Sequence, residues 1–273
     1  MGKFDGILIC TDLDGTLLRD DKSISKENLD AIAAFRAEGG AFTFVTGRMP
    51  FYVSDTLAAL GEHPFGCING GGIYDPRAGK YLWTQEPLSE KVLDLLDYME
   101  AEMPDTGFQI NTFDRLYFCK ETEAQEIFRR MTGTPRLVCH HRKIPEPMAK
   151  AIFVDAEERI DRVAELLATH PLSAEFDLVR SDPTLFEILA KGIDKGLLIP
   201  KMAKIYGTTV EKTVAVGDYD NDIGMIRAAG VGVAVANAIP EVKAAADYVL
   251  SETNEQHAIA ALIRDIGDGK ILL

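Results

Sequence analysis

The sequence predicts an α/β protein: a Rossmann-like parallel sheet core assembled from both ends of the chain, with an inserted α+β domain between them. Three observations predict it. In the first third, short continuous apolar runs alternate with helical patterns. The last third repeats that alternation, and the middle third breaks it with segments in which apolar and polar residues alternate. Continuous runs suit strands buried on both faces, and alternating ones suit strands with one covered face.

The elements follow in order. GILICT (6–11) is a strand. Ser25 then opens a helix with Leu29, Ile32 and Phe35 at helical spacing, which Gly39 and Gly40 end. AFTFVT (41–46) is the second strand, a helix follows near 50–60, and GCIN (66–69) is the third strand, expected to join the same parallel sheet. Helices near 88–102, 121–131 and 156–168 separate GFQIN, RLYFC, KAIFV and TLFEIL, which read as antiparallel strands packed on helices. A helix over 194–206 precedes TVAVGD (213–218). Then come a helix over 221–229, VGVAV (231–235), a short helix from Pro240, DYVL (247–250) and a last helix near 255–265. Thr253 and Gln256 have capping-box spacing at its start. The core is therefore expected to comprise 1–83 and 191–273, with 84–190 inserted. A cleft between two such domains is the usual place for a small-molecule site.

Composition narrows the function. With 273 residues, 47% of them hydrophobic, the chain can bury a substantial core. It carries 43 acids against 29 Lys and Arg, a formal charge of −14, and such a surface repels phosphate backbones. Nucleic acid is excluded as a partner. No apolar stretch reaches the roughly 18 residues of a membrane span, so no membrane partner is expected. The apolar run at 7–10 is too short for a secretion signal, and Gly6 stands where a myristoylation pattern wants Ser or Thr. Cys10, Cys67, Cys119 and Cys139 form no CxxC pair and read as reduced thiols, so a cytoplasmic protein is expected.

Four short motifs stand at strand ends or helix starts. Asp12 and Asp14, in DLDGT, follow the first strand directly, and ligands in open parallel sheets bind beyond the carboxyl ends of strands. Thr46-Gly47-Arg48 ends the second strand with a hydroxyl and free amides suited to an anion. Lys195, in KGIDKG, falls in the first turn of a helix, against the helix dipole, which hints at a partner anion. Asp218, Asp220 and Asp222 crowd into GDYDND at another strand end, and their mutual repulsion calls for a cation. Carboxylate oxygens are the hard ligands that Mg²⁺ prefers. Taken singly, each has an ordinary reading as a turn, a helix cap or a solvated loop. In a parallel sheet all four converge on one edge.

DLDGT, TGR, KGIDKG and GDYDND, in this order, resemble the four motifs of the haloacid dehalogenase superfamily. Asn69-Gly70-Gly71 and the large insertion resemble the Cof-type phosphatases, which carry a class II α/β cap that governs substrate specificity. The resemblance implies an Mg²⁺-dependent phosphatase that hydrolyses small phosphomonoesters, such as sugar phosphates or phosphorylated cofactors, through an aspartyl phosphate. It implies Asp12 as nucleophile and Asp14 as general acid, the latter needing a raised pKa to start protonated. Thr46, Gly47, Lys195 and Asn221 would bind the phosphoryl group. Asp12, Asp14 (by its carbonyl), Asp218 and Asp222 would surround Mg²⁺, with Asp222 orienting a water or Lys195. The acid at Asp14 favours phosphoryl transfer over dehalogenation, because departing halide needs no proton.

Two alternatives share these features. A phosphomutase or phosphotransferase would replace water by a second hydroxyl, and a receiver-type signalling module would use a strand-end Asp, an acid cluster and a Lys. Cys139-His140-His141 in the insert reads as polar surface or a substrate contact and not as a metal site, because no second ligand pair lies at zinc spacing. Monomer and dimer are equally compatible with the sequence.

Overall fold

A computed structural model describes residues 2–273. The chain separates into two compact units, 1–84 with 194–273 and 85–193.

In the first unit, β1 (Leu8–Thr11) leads to α1 (Lys26–Ala37) and β2 (Ala41–Phe44). The Ser25 hydroxyl caps α1 by accepting from the Asn28 amide. After α2 (Ser54–Leu60), β3 (Phe65–Cys67) touches the end of β2 in the expected parallel sense, through the Val45–Gly66 bridge and the Thr46 amide donating to Gly66 O at 3.0 Å. It also opens an antiparallel ribbon that was not expected, pairing with β4 (Gly72–Asp75), which pairs with β5 (Lys80–Thr84). The cause is local: after β3 the chain reverses over 68–70 in left-handed conformations, so β4 returns alongside it.

The second unit runs α3 (Lys91–Glu102), β6 (Gly107–Thr112), β7 (Leu116–Lys120), α4 (Glu123–Thr132), β8 (Met148–Val154), α5 (Glu157–Thr169), β9 (Phe176–Asp182) and β10 (Leu185–Ala190). Its five strands are ordered β7-β6-β8-β10-β9, all antiparallel. Leu95, Leu96 and Met99 of α3 and Ile160, Val163 and Leu167 of α5 pack with Phe108, Phe153 and Ile188 in one core. The edge strand β9 escapes the sequence pattern because only Phe176 of its seven residues is fully buried.

The chain re-enters the first unit with a single 3₁₀ turn at Lys195–Leu198, followed by α6 (Ile199–Ile205) and β11 (Thr213–Gly217). Then come α7 (Ile223–Ala228), β12 (Val231–Ala234), α8 (Pro240–Ala245), β13 (Tyr248–Val249) and α9 (Ala258–Gly267). Strand order is β13-β12-β11-β1-β2, parallel throughout. The capping box of Thr253 and Gln256 is present, one turn before α9. β1 and β11, whose paired residues Leu8 and Thr213 come from opposite ends of the sequence, are hydrogen-bonded neighbours in this sheet. No helix among the described residues is long and apolar enough to cross a membrane.

Candidate active site

The site begins where β1 ends. Leu8, Ile9 and Cys10 are fully buried, and the Asp12 amide extends the ladder by bonding to Val216 O at 2.9 Å. Asp12 is thereby carried to the sheet edge with its side chain almost wholly enclosed, at 9% exposure. The chain then turns through Gly15, whose φ of +76° is unfavourable for other residues. A Cβ there would also lie 2.3 Å from Asp218 Oδ2, so only glycine lets the two loops meet. Thr16 Oγ1 donates to Asp218 Oδ1 at 2.6 Å and fastens the loop after β1 to the loop after β11.

Lys195 lies between the acids and is fully buried. Its Nζ donates to Asp12 Oδ1 at 2.6 Å and to Asp222 Oδ1 at 2.5 Å. Burial alone would lower its pKa, but the two carboxylates outweigh burial and hold it protonated. Its unfavourable place in a first helical turn is thus matched by anions. Asp222 is equally buried, and its Oδ2 accepts from the amides of Asp218 (2.9 Å) and Tyr219 (3.3 Å). With both oxygens engaged, Asp222 orients Lys195 and the loop after β11.

Asp12, Asp218 and Asp222 bring carboxylate oxygens within 4.8 Å of one another. Burial, then the charge of Asp222, raises the pKa of Asp12 well above the usual range. Burial and Asp222 likewise push Asp218 up to about 7, against Thr16 and Lys195. An all-oxygen set that is short of positive charge fits a hard divalent cation such as Mg²⁺. The raised pKa has a sign. Between the ordinary carboxylate value and about 7, the unfolded chain has lost the Asp218 proton while the folded chain keeps it. This group's contribution to stability therefore falls as pH rises through that window. A divalent ion that displaces the proton restores it. The Mg²⁺-induced rise in melting temperature is accordingly expected to be larger at pH 8 than at pH 5.5. Thermal scans of wild type and Asp218→Asn check this, and the variant should lose the share of the pH dependence that Asp218 supplies, Asp12 keeping its own.

Asp14 contradicts the expectation of a raised pKa. Its side chain turns away to a bidentate fork from Arg48, Nε to Oδ2 at 2.8 Å and Nη2 to Oδ1 at 2.7 Å. Lys22 Nζ adds a third bond at 2.9 Å. Burial pushes the Asp14 pKa up, but Arg48 and then Lys22 overcome it and bring it down to about 2. The carboxylate remains 41% exposed, so water screens part of this effect. In this setting Asp14 is ionised at neutral pH.

Thr46 and Gly47 follow β2. Thr46 is buried, its Oγ1 accepts from the Arg48 amide at 3.1 Å, and its carbonyl accepts from Asn69 N at 3.1 Å. Asn69 Oδ1 accepts from Asn221 Nδ2 at 3.0 Å, which joins the turn after β3 to the loop after β11. Asn69 Nδ2 and Asn221 Oδ1 are buried without a protein hydrogen bond. Ile68 and Asn69 both adopt positive φ, at 57° and 50°. For a β-branched residue this costs on the order of 1–3 kcal/mol. Gly70 follows at +103°, where a Cβ would lie 1.9 Å from Asp194 O. The strain fixes Asn69 beside the strand ends.

Of the residues named from sequence, Asp12, Lys195, Asp218 and Asp222 form one bonded cluster, and Asn221 joins it through its loop. Thr46 and Gly47 lie beside Asn69, whose Oδ1 a Gly47 Cβ would approach to 2.8 Å. Asp14 alone turns its side chain elsewhere. Sequence reasoning left Thr16, Lys22, Arg48 and Asn69 without site roles. Arg48 stood in the quoted TGR and Asn69 in the quoted Asn-Gly-Gly, but their partners are tertiary.

Comparison with known proteins bears on this geometry. A sequence profile of the haloacid dehalogenase-like hydrolases matches residues 9–263. YxeH of Bacillus subtilis (strain 168) is 30% identical over 95% of this chain and 97% of its own length. The 5-amino-6-(5-phospho-D-ribitylamino)uracil phosphatase YitU of the same organism is 29% identical, covering 94% of this chain and 96% of its own. Among solved structures, a haloacid dehalogenase-like hydrolase from Bacteroides thetaiotaomicron superposes with a TM-score of 0.79 at 26% identity. It covers 95% of this chain and 99% of that one.

Proposed function

The chain belongs to the haloacid dehalogenase-like hydrolases and is a phosphatase, and we propose that it hydrolyses small phosphomonoesters with Mg²⁺ through an aspartyl phosphate on Asp12. The observation that carries this reading is the buried Lys195 bridging Asp12 and Asp222 beside Asp218. One lysine charge stands beside three clustered carboxylates, so the site is short of positive charge, which a divalent cation would supply for the approach of a phosphoryl group.

Asp12 attacks phosphorus with Oδ2 while Lys195 holds Oδ1. The P–O bond to the leaving alcohol breaks, and water later cleaves the acyl phosphate to regenerate Asp12. Lys195 is a fixed positive charge for the phosphoryl oxygens. Thr46 and the Gly47 amide lie beside Asn69, whose buried Nδ2 offers a further donor to the same oxygens. Asp12 and Asp218 would hold Mg²⁺, assisted by the Asp14 carbonyl, with Asp222 behind Lys195. When bound, the ion supplies the positive charge that lets a carboxylate approach a phosphate.

Asp14 protonates the leaving alkoxide and then takes a proton from the attacking water. To act as acid it must exchange its Arg48 and Lys22 partners for the substrate. This gives a leaving-group test. In Asp14→Ala, kcat/KM for alkyl phosphates should fall about 10²–10⁴-fold. For p-nitrophenyl phosphate, whose phenolate leaves without a proton, the fall should stay under about tenfold. Equal losses on both substrates would remove Asp14 from the acid role.

The insert, 84–190 by sequence and 85–193 by compactness, is assigned the choice of leaving group. YitU acts on a phosphorylated ribityl compound, as its name states, and a phosphorylated polyol or cofactor is the class proposed for this chain. The direct test is phosphate release from p-nitrophenyl phosphate with and without EDTA, followed by a panel of phosphorylated metabolites ranked by kcat/KM. Turnover that survives both EDTA and Asp12→Asn would overturn the reading.

A further inference from the structure

The unit formed by 85–193 contains a second group of metal-ligating side chains. Glu100 on α3 and the adjacent His140 and His141 each bring one ligand atom within 4.8 Å of the others. We propose that Glu100, His140 and His141 bind a transition-metal ion of the Zn²⁺ class, separately from the acids after β1 and β11.

The first support is orientation. His141 is buried, and its Nε2 lies 2.6 Å from Asp97 Oδ1. A carboxylate can only accept here, so the neutral ring carries its proton on Nε2 and keeps the Nδ1 lone pair free of that proton. A carboxylate behind an imidazole is the usual arrangement behind a metal-bound histidine. Asp97 and Glu100 are three residues apart on α3 and so share a face, one orienting the ring and the other offering oxygen.

The second support is the donor set. Two imidazoles and a carboxylate suit Zn²⁺ and its neighbours better than Mg²⁺. His140 stacks on His141 with ring centroids 4.3 Å apart and is exposed, which leaves an entry path. Sulfur lies close by: Cys139 N donates to Phe118 O at 3.2 Å, which sets the Cys139 strand beside β7 and its Cys119.

The competing contacts are few. Lys120 Nζ is 3.7 Å from Glu100 Oε1, a long pair that a divalent ion would replace. The Arg142 amide donates to His140 Nδ1 at 3.2 Å, and this weak bond yields if Nδ1 is the ligand. The Arg142 guanidinium is already committed to Asp94 and Asp97. The sequence shows His140 and His141 beside Cys139 but not the third ligand, because Glu100 comes from a helix forty residues earlier.

The test uses the full chain stripped of metal, in wild type and in Asp218→Asn, which weakens the acidic site. Co²⁺ is titrated by visible absorption, and Zn²⁺ by competition with a chromophoric chelator. One tight equivalent should persist in Asp218→Asn, in addition to what the acidic group takes up in wild type. Glu100→Gln and His140→Gln should each weaken it at least tenfold, with the metal-free melting temperature unchanged because both side chains lie at or near the surface. Asp97→Asn should weaken binding about 10–100-fold while the Co²⁺ spectrum keeps its shape. Absence of stoichiometric binding, binding lost in Asp218→Asn, or binding indifferent to Glu100→Gln and His140→Gln would each overturn the proposal.

Discussion

Asp12→Asn is expected to lower kcat by roughly 10⁴-fold or more, because an amide cannot form the acyl phosphate and nothing nearby replaces the nucleophile. The fold should survive. Asp12 is a buried carboxylate whose charge burial, Asp222 and Asp218 all oppose. Neutralising it relieves that opposition, and Lys195 keeps its bond to Asp222. The metal-free variant should therefore melt at or above the wild-type temperature. Together the two measurements separate chemistry from folding: activity lost with stability kept assigns the nucleophile, whereas activity within tenfold of wild type would exclude it. Such a site gives up stability for function.

Lys195→Met has the opposite signature, and the largest expected effect on stability. Lys195 is fully buried and neutralises two carboxylates that, among the described residues, share no other cation at hydrogen-bond distance. Removing one member of such a group leaves uncompensated charge in the interior, which costs about 3–5 kcal/mol. For a protein of this size that corresponds to a fall in melting temperature of roughly 10 °C. The loss should deepen as pH rises and the acids ionise. Adding Asp12→Asn to Lys195→Met should recover part of it, because the pair is coupled and not additive. A double variant no more stable than the single one would show that Lys195 acts through packing alone.

Much of this arrangement was legible in the sequence because continuous apolar runs end in acids. GILICT before Asp12 and TVAVG before Asp218 announce buried strands, and a parallel sheet gathers their ends. Lys195 was legible by its conflict with the helix dipole. What escaped depended on pairings between distant segments. Nothing local shows that Arg48 forks onto Asp14, and that contact reverses the expected direction of the Asp14 pKa. The antiparallel ribbon that follows the third strand was missed because left-handed Ile68 and Asn69 turn the chain back, and an isoleucine gives no sign of that conformation. β9 was missed because an edge strand has too little buried surface to imprint a pattern.

The pairing of β1 with β11 has a consequence for the order in which the protein can be made. Asp12 is synthesised early, yet the backbone that its amide bonds to, at Val216, leaves the ribosome some two hundred residues later. Until then β1 and β2 have only each other, and β1 exposes an unpaired apolar edge. Closing that long loop is entropically costly and slow, while the 85–193 unit has its own core and all its strands in hand well before β11 emerges. Vectorial synthesis thus favours an assembly line in which the insert matures before the catalytic carboxylates meet, so that a chain that stops short of β11 carries Asp12 without Asp218 and Asp222.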